Sequence, residues 1–308
     1  MSRPQWFFVI NPVSGKGQGQ GIWQQLRQQL VTNDLYFDHA ISSYHQHVLA
    51  LVAEKYREGF RHFIGIGGDG TLNEMVNAVF QAAAGAPDEN CVLGLIAVGT
   101  GNDWVRSQKN QLTILNLIEK LERINVEKHD VGVIQSDELK RPYYFLNVAG
   151  AGLDGKVVQE IAGKATKGKK GKWAYLTGLI QALFTYTAPE VVVSLAHKPF
   201  FTGLPLVITA AKGRYFGGNM EISPEAKPDN QLLDCTIIKK VPKRKILPQI
   251  YKLFNSQISK VSFVYKGSSH ELAIQSASPL AVQADGELVG ELAAFQFLIA
   301  ERQVNILS

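Results

Sequence analysis

Hydrophobic and polar positions along the first 130 residues follow two periods, one typical of buried strands and the other of amphipathic helices. Short apolar or alternating runs predict four strands, at 6–10, 37–42, 62–66 and 92–98. The segment after the third strand carries one apolar face at helical spacing, formed by Leu72, Met75, Val76, Val79 and Phe80. Strands that alternate with helices predict an α/β domain built on a parallel, doubly wound sheet.

The pattern changes after about residue 130, where short β-branched and aromatic runs are separated by turn residues. These runs lie at 143–150, 190–197, 205–213, 232–241, 260–267, 271–277, 280–286 and 295–301. They predict a β-rich second domain, an antiparallel sandwich or barrel, with helical segments near 172–187 and 243–256. The predicted boundaries are therefore 1–130 for the α/β domain and 131–301 for the β-rich domain.

Composition and charge exclude several classes of protein. The net charge of +5 suits phosphate ligands or an anionic membrane surface, and by itself it does not indicate nucleic acid. Cys91 and Cys235 have no metal-ligand spacing and suggest no disulfide framework. The two cysteines therefore fit a reducing cytosol best. No run reaches the ~20 apolar residues of a membrane span, so if the protein handles lipids it would do so from the membrane surface.

Three predicted strands of the first domain end in glycine-rich loops with the sequences NPVSGKG, GGDGT and GTGND. In an open parallel sheet, ligands bind beyond the carboxyl ends of the strands, so the three loops are expected to converge on one site. Each loop taken alone is equally compatible with a plain tight turn.

The loop GGDGT is the most informative of the three. Thr71 followed by Glu74 has the pattern of a capping box, which predicts that a helix begins at Thr71 and points its positive end at the glycines. Asp69 would repel a bare phosphate there, and a bridging divalent cation removes the objection. The loop therefore favours a Mg²⁺-nucleotide over a dinucleotide cofactor, and the Walker pattern of P-loop enzymes is absent.

These motifs together resemble the diacylglycerol kinase catalytic-domain family, which includes soluble bacterial diacylglycerol kinases, related lipid kinases and sphingosine kinases. The resemblance rests on NPVSGKG at 11–17, GGDGTLNE at 67–74, GTGND at 99–103 and DGE at 285–287. It implies a nucleotide-binding α/β domain, a β-rich domain, ATP in a cleft, and a last strand, 302–308, that returns to the first domain.

The resemblance also implies roles for individual residues. ATP would be bound by Asn11, Pro12, Val13, Ser14, Gly15, Lys16, Ser43, Gly67, Gly68, Asp69, Gly70, Thr71, Leu72, Asn73 and Thr100. Asp69 and Asp103 would hold the catalytic Mg²⁺. The DGE motif would supply the general base, with Asp285 preferred and Glu287 as the next candidate, and Asp103 would orient the base or share its proton.

A segment at 225–234 resembles the structural metal loop of the same family. The family ligands fall on Lys227 and Leu232 through their carbonyl groups and on the acidic pair that is here Asp229 and Asn230. Because Asn230 replaces a carboxylate with an amide, a turn without metal is the alternative interpretation.

A lysine-rich segment suggests how the protein would meet a membrane. Its lysines are Lys164, Lys167, Lys169, Lys170 and Lys172, and Trp173 and Tyr175 follow. They predict peripheral contact with an anionic surface, and a solvated loop is the alternative.

The sequence therefore predicts an ATP-dependent lipid kinase that uses Mg²⁺, most simply one that converts diacylglycerol to phosphatidic acid. Its expected partners are a lipid alcohol and a membrane surface, with no nucleic acid, and a homodimer is compatible with the sequence. The alternatives are a soluble kinase of the NAD kinase type and a nucleotide-binding regulator without turnover.

Overall fold

The chain divides into two compact units, one of Met1–Asp130 with Glu301–Ser308 and the other of Val131–Ala300. We describe them from a computed structural model that covers residues 5–99, 101–108, 111–163, 182–183 and 185–308. The α/β and β-rich halves expected from the sequence are both confirmed.

The strands are β1 (Trp6–Ile10), β2 (Phe37–Ile41), β3 (His62–Gly67), β4 (Val92–Ala97), β5 (Val126–His129), β6 (Gly132–Gln135), β7 (Tyr143–Phe145), β8 (Val148–Gly152), β9 (Val191–Leu195), β10 (Lys198–Gly203), β11 (Pro205–Ala211), β12 (Tyr215–Phe216), β13 (Met220–Glu221), β14 (Leu233–Lys239), β15 (Val264–Ser269), β16 (Glu271–Ala284), β17 (Glu287–Ile299) and β18 (Val304–Leu307). The α-helices are α1 (Ser14–Thr32), α2 (His47–Arg57), α3 (Asp69–Ala82), α4 (Asp103–Arg106), α5 (Leu117–Glu122), α6 (Leu153–Gly163) and α7 (Lys243–Ile246). Two 3₁₀-helices cover Leu247–Phe254 and Ile258–Lys260.

The first unit is built on a six-stranded sheet in the order β2-β1-β3-β4-β18-β5. All of its neighbouring strands are parallel except β18 and β5, which run antiparallel. Residues of β1 are buried on both faces: Phe8 packs with Trp23 of α1, and Phe7, on the opposite face, is fully buried too. Burial on both faces is the reason that parallel strands read as continuous apolar runs.

The last strand, β18, lies inside the first sheet, between β4 and β5. Asn305 and Ile306 pair with Val92 and Leu93 of β4, and the opposite edge of β18 pairs with β5. Val304 and Ile306 are buried and Asn305 between them is half-buried, which is the two-residue alternation of a β-strand.

The second unit contains a ten-stranded antiparallel sheet whose principal order is β15-β14-β11-β8-β16-β17-β6-β7, with β9 and β10 added beside β16. The long strand β16 links two parts of it, because 282–284 pair with β8 and 272–276 pair with β9. Its inward side chains, such as Leu272, Ile274 and Val282, belong to one buried apolar cluster with residues of β8, β11 and β14. The antiparallel β-rich domain predicted from the sequence is therefore present.

Three details differ from the sequence expectations. The runs at 271–277 and 280–286 form the single strand β16, with an irregular register between Gln275 and Leu280. The helical segment near 243–256 consists of the short helix α7 and a 3₁₀-helix. Most of the helical segment expected near 172–187 lies outside the described residues.

Candidate functional site

Three loops converge at the carboxyl edge of the parallel sheet in the first unit. They follow β1, β3 and β4, which are adjacent and parallel, so their carboxyl ends share one edge. The Asn11 N–H donates to the Ile66 carbonyl at 2.9 Å, and the Val98 N–H donates to the Gly67 carbonyl at 2.7 Å. The convergence expected from the sequence is thus present.

The first loop makes an unusual backbone turn inside the range of α1. Gly15, Lys16 and Gly17 have successive φ values of 57°, 60° and 94°, all in the left-handed region. Turns of this kind can direct backbone N–H groups to one concave face, which is how many phosphate-binding loops hold an anion. Gly15 has no room for a side chain, since a Cβ there would lie 2.6 Å from Cγ1 of Val98. Lys16 is exposed and adds a positive charge to the same turn.

The second loop leads directly into α3. This helix begins at Asp69 with Gly68 as its N-cap, so the predicted start at Thr71 is wrong. Thr71 is instead buried against Gly67, where an added Cβ would lie 2.1 Å from the Thr71 hydroxyl oxygen. Glu74 accepts the backbone N–H of Leu49 at 3.1 Å and so caps the neighbouring helix α2. The positive end of α3 still faces the glycine loop.

Asp69 links the second loop to the third. Its carboxylate accepts the backbone N–H of Asp103 at 2.8 Å and that of Trp104 at 3.3 Å, which caps the amino end of α4. The residue before α4, Asn102, is left-handed with φ of 49° and makes no side-chain cap of its own. The aspartate among the glycines therefore has a structural role that needs no cation.

The carboxylates of Asp69 and Asp103 also fit a Mg²⁺ ion that arrives with a nucleotide. Each carboxylate oxygen has two lone-pair sites, so accepting an N–H bond does not prevent it from binding a metal. The described residues contain no group of three or more His, Cys, Asp or Glu side chains that could hold a metal. Mg²⁺ in kinases commonly takes one or two carboxylates, phosphate oxygens and water, and Asp69 and Asp103 are the residues that would supply carboxylates here. Asp103 is buried and lies 3.6 Å from the guanidinium of Arg106.

The remaining residues expected at the nucleotide are placed differently from one another. Ser43 follows β2 and donates its backbone N–H to Nδ1 of His47 at 2.9 Å. Leu72 and Asn73 are buried within α3, and the Asn73 side chain accepts a hydrogen bond from Asn77 at 3.2 Å. The Leu72 N–H donates to the Gly68 carbonyl at 3.3 Å, within the first turn of α3. Thr100 lies outside the described residues.

In the second unit, Asp285 forms the turn between β16 and β17. Asp285 and Gly286 have φ values of 50° and 87°, the left-handed pair of a two-residue hairpin turn. The Asp285 carboxylate accepts the backbone N–H groups of Leu146, Asn147 and Val148 at 2.9, 3.0 and 2.9 Å. Three donors engage both oxygens of the carboxylate and fix its position at the turn.

Glu287, the first residue of β17, is half-buried and pairs across the turn with Ala284. Both Asp285 and Glu287 therefore stay predicted candidates for the general base. The hydrogen bonds of Asp285 join residues more than a hundred positions apart along the chain, which the motif itself does not reveal.

An apolar cavity lies within the second unit, and the sequence analysis does not predict it. Its volume is about 60 Å³. Its walls are mainly aliphatic and aromatic, and include Leu153, Leu206, Val207, Met220, Ile222 and Phe263. Such an apolar chamber suits a hydrocarbon ligand.

Asp154 is the charged group that lines this cavity. It is 1% exposed, and burial raises its pKa from the usual 3.8 to about 6. One of its oxygens accepts a hydrogen bond from Gln283 at 3.1 Å. Within the described part of the chain, three buried oxygens have no hydrogen-bond partner. They are the other Asp154 oxygen, the Tyr186 hydroxyl and the Gln249 side-chain oxygen. A ligand with a polar group next to a hydrocarbon chain would satisfy both kinds of wall.

Comparison with known proteins agrees with this arrangement. Residues 5–134 match the model of the diacylglycerol kinase catalytic domain, and residues 147–307 match that of the YegS C-terminal NAD kinase beta sandwich-like domain. The chain belongs to the diacylglycerol kinase catalytic-domain family.

The similarity to individual members is distant but extends along the chain. A diacylglycerol kinase of Staphylococcus aureus (strain bovine RF122 / ET3-1) is 26% identical over 301 residues, which cover 97% of this chain and 90% of that protein. A diacylglycerol kinase of Staphylococcus epidermidis (strain ATCC 12228 / FDA PCI 1200) is also 26% identical, over 79% of this chain and 72% of its own length. The crystal structure of a diacylglycerol kinase from Bacillus anthracis str. Sterne superposes with a TM-score of 0.70 and 17% identity, over 99% of this chain and 96% of that one. That structure supports the fold alone.

The loop that resembles the family's structural metal site does not fit a metal here. The buried ammonium group of Lys212 donates to the side-chain oxygen of Asn230 and to the Leu232 carbonyl, both at 2.8 Å. These are two of the predicted ligand oxygens. Lys227 and Asp229, the other two residues of the predicted set, are exposed.

Two further expectations concern the membrane. The lysine-rich segment from Lys164 to Lys172, with Trp173 and Tyr175, lies outside the described residues. Within the described part of the chain, no helix is long and apolar enough to cross a membrane.

Proposed function

We propose that this member of the diacylglycerol kinase catalytic-domain family transfers the γ-phosphoryl group of ATP to the hydroxyl of a lipid alcohol, with diacylglycerol as the leading acceptor. The observation that carries the proposal is the apolar cavity of the second unit with Asp154 in its wall. A hydrocarbon-lined chamber offers favourable burial to an acyl chain, whereas a soluble polar acceptor gains little from it.

The first unit supports the ATP half of the reaction. The left-handed turn at 15–17, the exposed ammonium group of Lys16 and the amino end of α3 all favour an anion at the carboxyl edge of the sheet. Phosphoryl transfer requires mainly positioning and neutralisation of charge, and backbone N–H groups with a nearby lysine supply both.

Asp69 and Asp103 would hold a Mg²⁺ ion bound to the nucleotide. When bound, such an ion neutralises part of the negative charge of the ATP phosphates. Asp69 keeps a second function in either case, because its hydrogen bonds to Asp103 and Trp104 fix the third loop against the second.

The acceptor hydroxyl must lose its proton as it reacts. We assign that proton to the carboxylate of Glu287, while Asp285 holds the turn that presents it. The hydroxyl oxygen forms a bond to the γ-phosphorus, the bond from that phosphorus to the β–γ bridging oxygen breaks, and ADP leaves. The phosphorylated lipid would be phosphatidic acid if diacylglycerol is the acceptor.

A soluble kinase of the NAD kinase type is the principal rival, because the family model of the second unit is described as NAD kinase beta sandwich-like. A nucleotide-binding regulator without turnover is a rival of another class. A lipid acceptor would place the protein at a membrane surface, to which this cytoplasmic protein would attach peripherally.

The deciding experiment incubates the full chain with γ-labelled ATP and Mg²⁺, and offers diacylglycerol, phosphatidylglycerol, a long-chain base and NAD separately, the lipids in mixed micelles. Label should enter a lipid, and Glu287→Gln should abolish the transfer. Label in NAD alone would establish the rival kinase. Tight ATP binding with no labelled acceptor from the whole panel would favour the regulator.

A further inference from the structure

A lysine is buried among oxygen atoms in the second unit. Lys212 directly follows β11 and is 1% exposed, which is rare for a charged side chain. A buried ammonium group is costly unless it is well hydrogen-bonded. Its Nζ donates to the Asn230 side-chain oxygen and to the Leu232 carbonyl, both at 2.8 Å. The 227–232 loop, defined by residues 227 to 232, therefore folds around a cationic group.

The acceptors around Lys212 are of the kind that a hard divalent cation uses. Amide and backbone carbonyl oxygens are common ligands of Ca²⁺, and Mg²⁺ also binds oxygen. Both acceptor oxygens already lie at hydrogen-bond distance from the ammonium group. A second cation bound to the same oxygens would lie close to the first and would be repelled by it.

The chemistry of Asn230 matches a single positive charge. A divalent ion is balanced best by carboxylates, whereas one ammonium group is satisfied by neutral oxygens. The Asn230 oxygen also accepts the Leu232 N–H at 3.2 Å, across a left-handed residue, Gln231, with φ of 57°. The amide thus closes the turn and accepts the lysine with the same atom.

We propose that the ammonium group of Lys212 is a built-in cation, so that the 227–232 loop is held without any metal ion. The consequence reaches further than the loop. The backbone N–H groups of Lys212 and Gly213 donate to the Asn147 carbonyl at 2.8 and 2.9 Å, and the Asn147 N–H donates to Asp285. The lysine therefore connects the loop to the turn that carries Glu287, whether or not the protein is a kinase.

The test measures thermal unfolding of the full chain without nucleotide, in EDTA and in millimolar Ca²⁺ or Mg²⁺. The protein used in this test carries Asp69→Asn, which removes one carboxylate of the other candidate cation site, that of Asp69 and Asp103. We expect the same Tm in all three solutions. A Tm that rises with either ion, and no longer rises after Asn230→Ala, would overturn the proposal.

Variants test the lysine directly. Lys212→Met keeps the length of the side chain but removes both hydrogen bonds that its ammonium group donates, so Tm should fall by at least ~5 °C. Lys227→Met, at an exposed position of the same loop, is the matched control and should leave Tm unchanged. An unchanged Tm in Lys212→Met would contradict the proposal. Lys212→Ala combined with Asn230→Asp removes the ammonium group and adds a carboxylate. The Tm of this double variant should rise when Ca²⁺ is added.

Discussion

At Asp285, three backbone N–H groups from the start of β8 and the residues before it meet one carboxylate. Asp285→Asn replaces one acceptor oxygen with an NH₂ group that would face a backbone N–H. We therefore expect this variant to lose ~2 kcal/mol or more of the free energy of unfolding, measured by denaturant titration. An unchanged free energy of unfolding with abolished turnover would return the role of base to Asp285.

The neighbouring acid should respond in the opposite way. Glu287→Gln removes the proposed proton acceptor, so kcat should fall at least ~10²-fold, while the affinity for ATP and the free energy of unfolding change little. The measurement is kcat with saturating ATP and lipid, with Asp285→Asn as the matched comparison. Near-normal kcat in Glu287→Gln would remove this residue from the mechanism.

Asp154 should give the second unit a distinct pH dependence. Its pKa in the folded protein is raised to about 6 by burial, above the value of 3.8 that it has when unfolded. Below pH ~4 both states are protonated. As the pH rises from ~4 to ~6 the unfolded chain releases this proton first, so the folded state loses stability, by roughly 3 kcal/mol at full effect.

Asp154→Asn tests this directly, because an amide does not titrate. We expect the free energy of unfolding of the parent protein to fall, relative to the variant, between pH 4 and pH 6, and the difference to level off above that range. The measurement is urea unfolding of both proteins across this range. Parallel stability curves for the two proteins would contradict the raised pKa.

At the scale of elements, the phosphate loop after β1 depends on one close approach. Gly15→Ala would place a Cβ 2.6 Å from Val98 and strain a left-handed residue. Gly17→Ala is the matched control, since it also has a positive φ but meets nothing within 4 Å. We expect Gly15→Ala to raise the KM for ATP at least ~10-fold and Gly17→Ala to have a much smaller effect, measured by steady-state kinetics. Equal KM values in the two variants would separate this loop from nucleotide binding.

The elements themselves were predictable because their signals are local. The apolar runs at 6–10, 62–66 and 92–98 placed β1, β3 and β4 to within one residue. The start of α3 was not predictable from Thr71 and Glu74, because the carboxylate of Glu74 reaches α2, a partner that only the tertiary fold brings near. The split of the second half into separate runs likewise missed that β16 continues past an irregular register.

Across the whole molecule, features formed by consecutive residues were predictable from the sequence, and features formed by distant residues were not. The glycine loops were recognisable because each occupies a few consecutive residues at the end of a strand. Three hydrogen bonds join residues that are far apart along the chain. Lys212 and Asn230 are 18 positions apart, Leu146 and Asp285 are 139 apart, and Asp154 and Gln283 are 129 apart. Without the fold, Lys212 is one lysine among many, and Asn230 is an amide that weakens a metal motif.

The identity of the acceptor is also a property of the whole molecule, and the cavity of the second unit makes it testable. Leu206→Trp would fill part of the space that we assign to an acyl chain, since Leu206 lines the cavity. Excluding a few methylene groups from a hydrophobic pocket costs ~10-fold or more in kcat/KM. We therefore expect kcat/KM for long-chain diacylglycerol to fall by at least that factor, and kcat/KM for a dispersed short-chain diacylglycerol to change little.

The comparison between the two chain lengths corrects for any general loss of stability, because both are measured on the same variant. Val192→Trp, at a half-exposed position of β9 that does not line the cavity, should affect both acceptors equally and slightly. If Leu206→Trp lowers kcat/KM for both chain lengths by the same factor, the cavity does not hold the acyl chain. The lipid would then have to bind through its polar end alone, and the cavity would no longer favour a lipid acceptor over a soluble one.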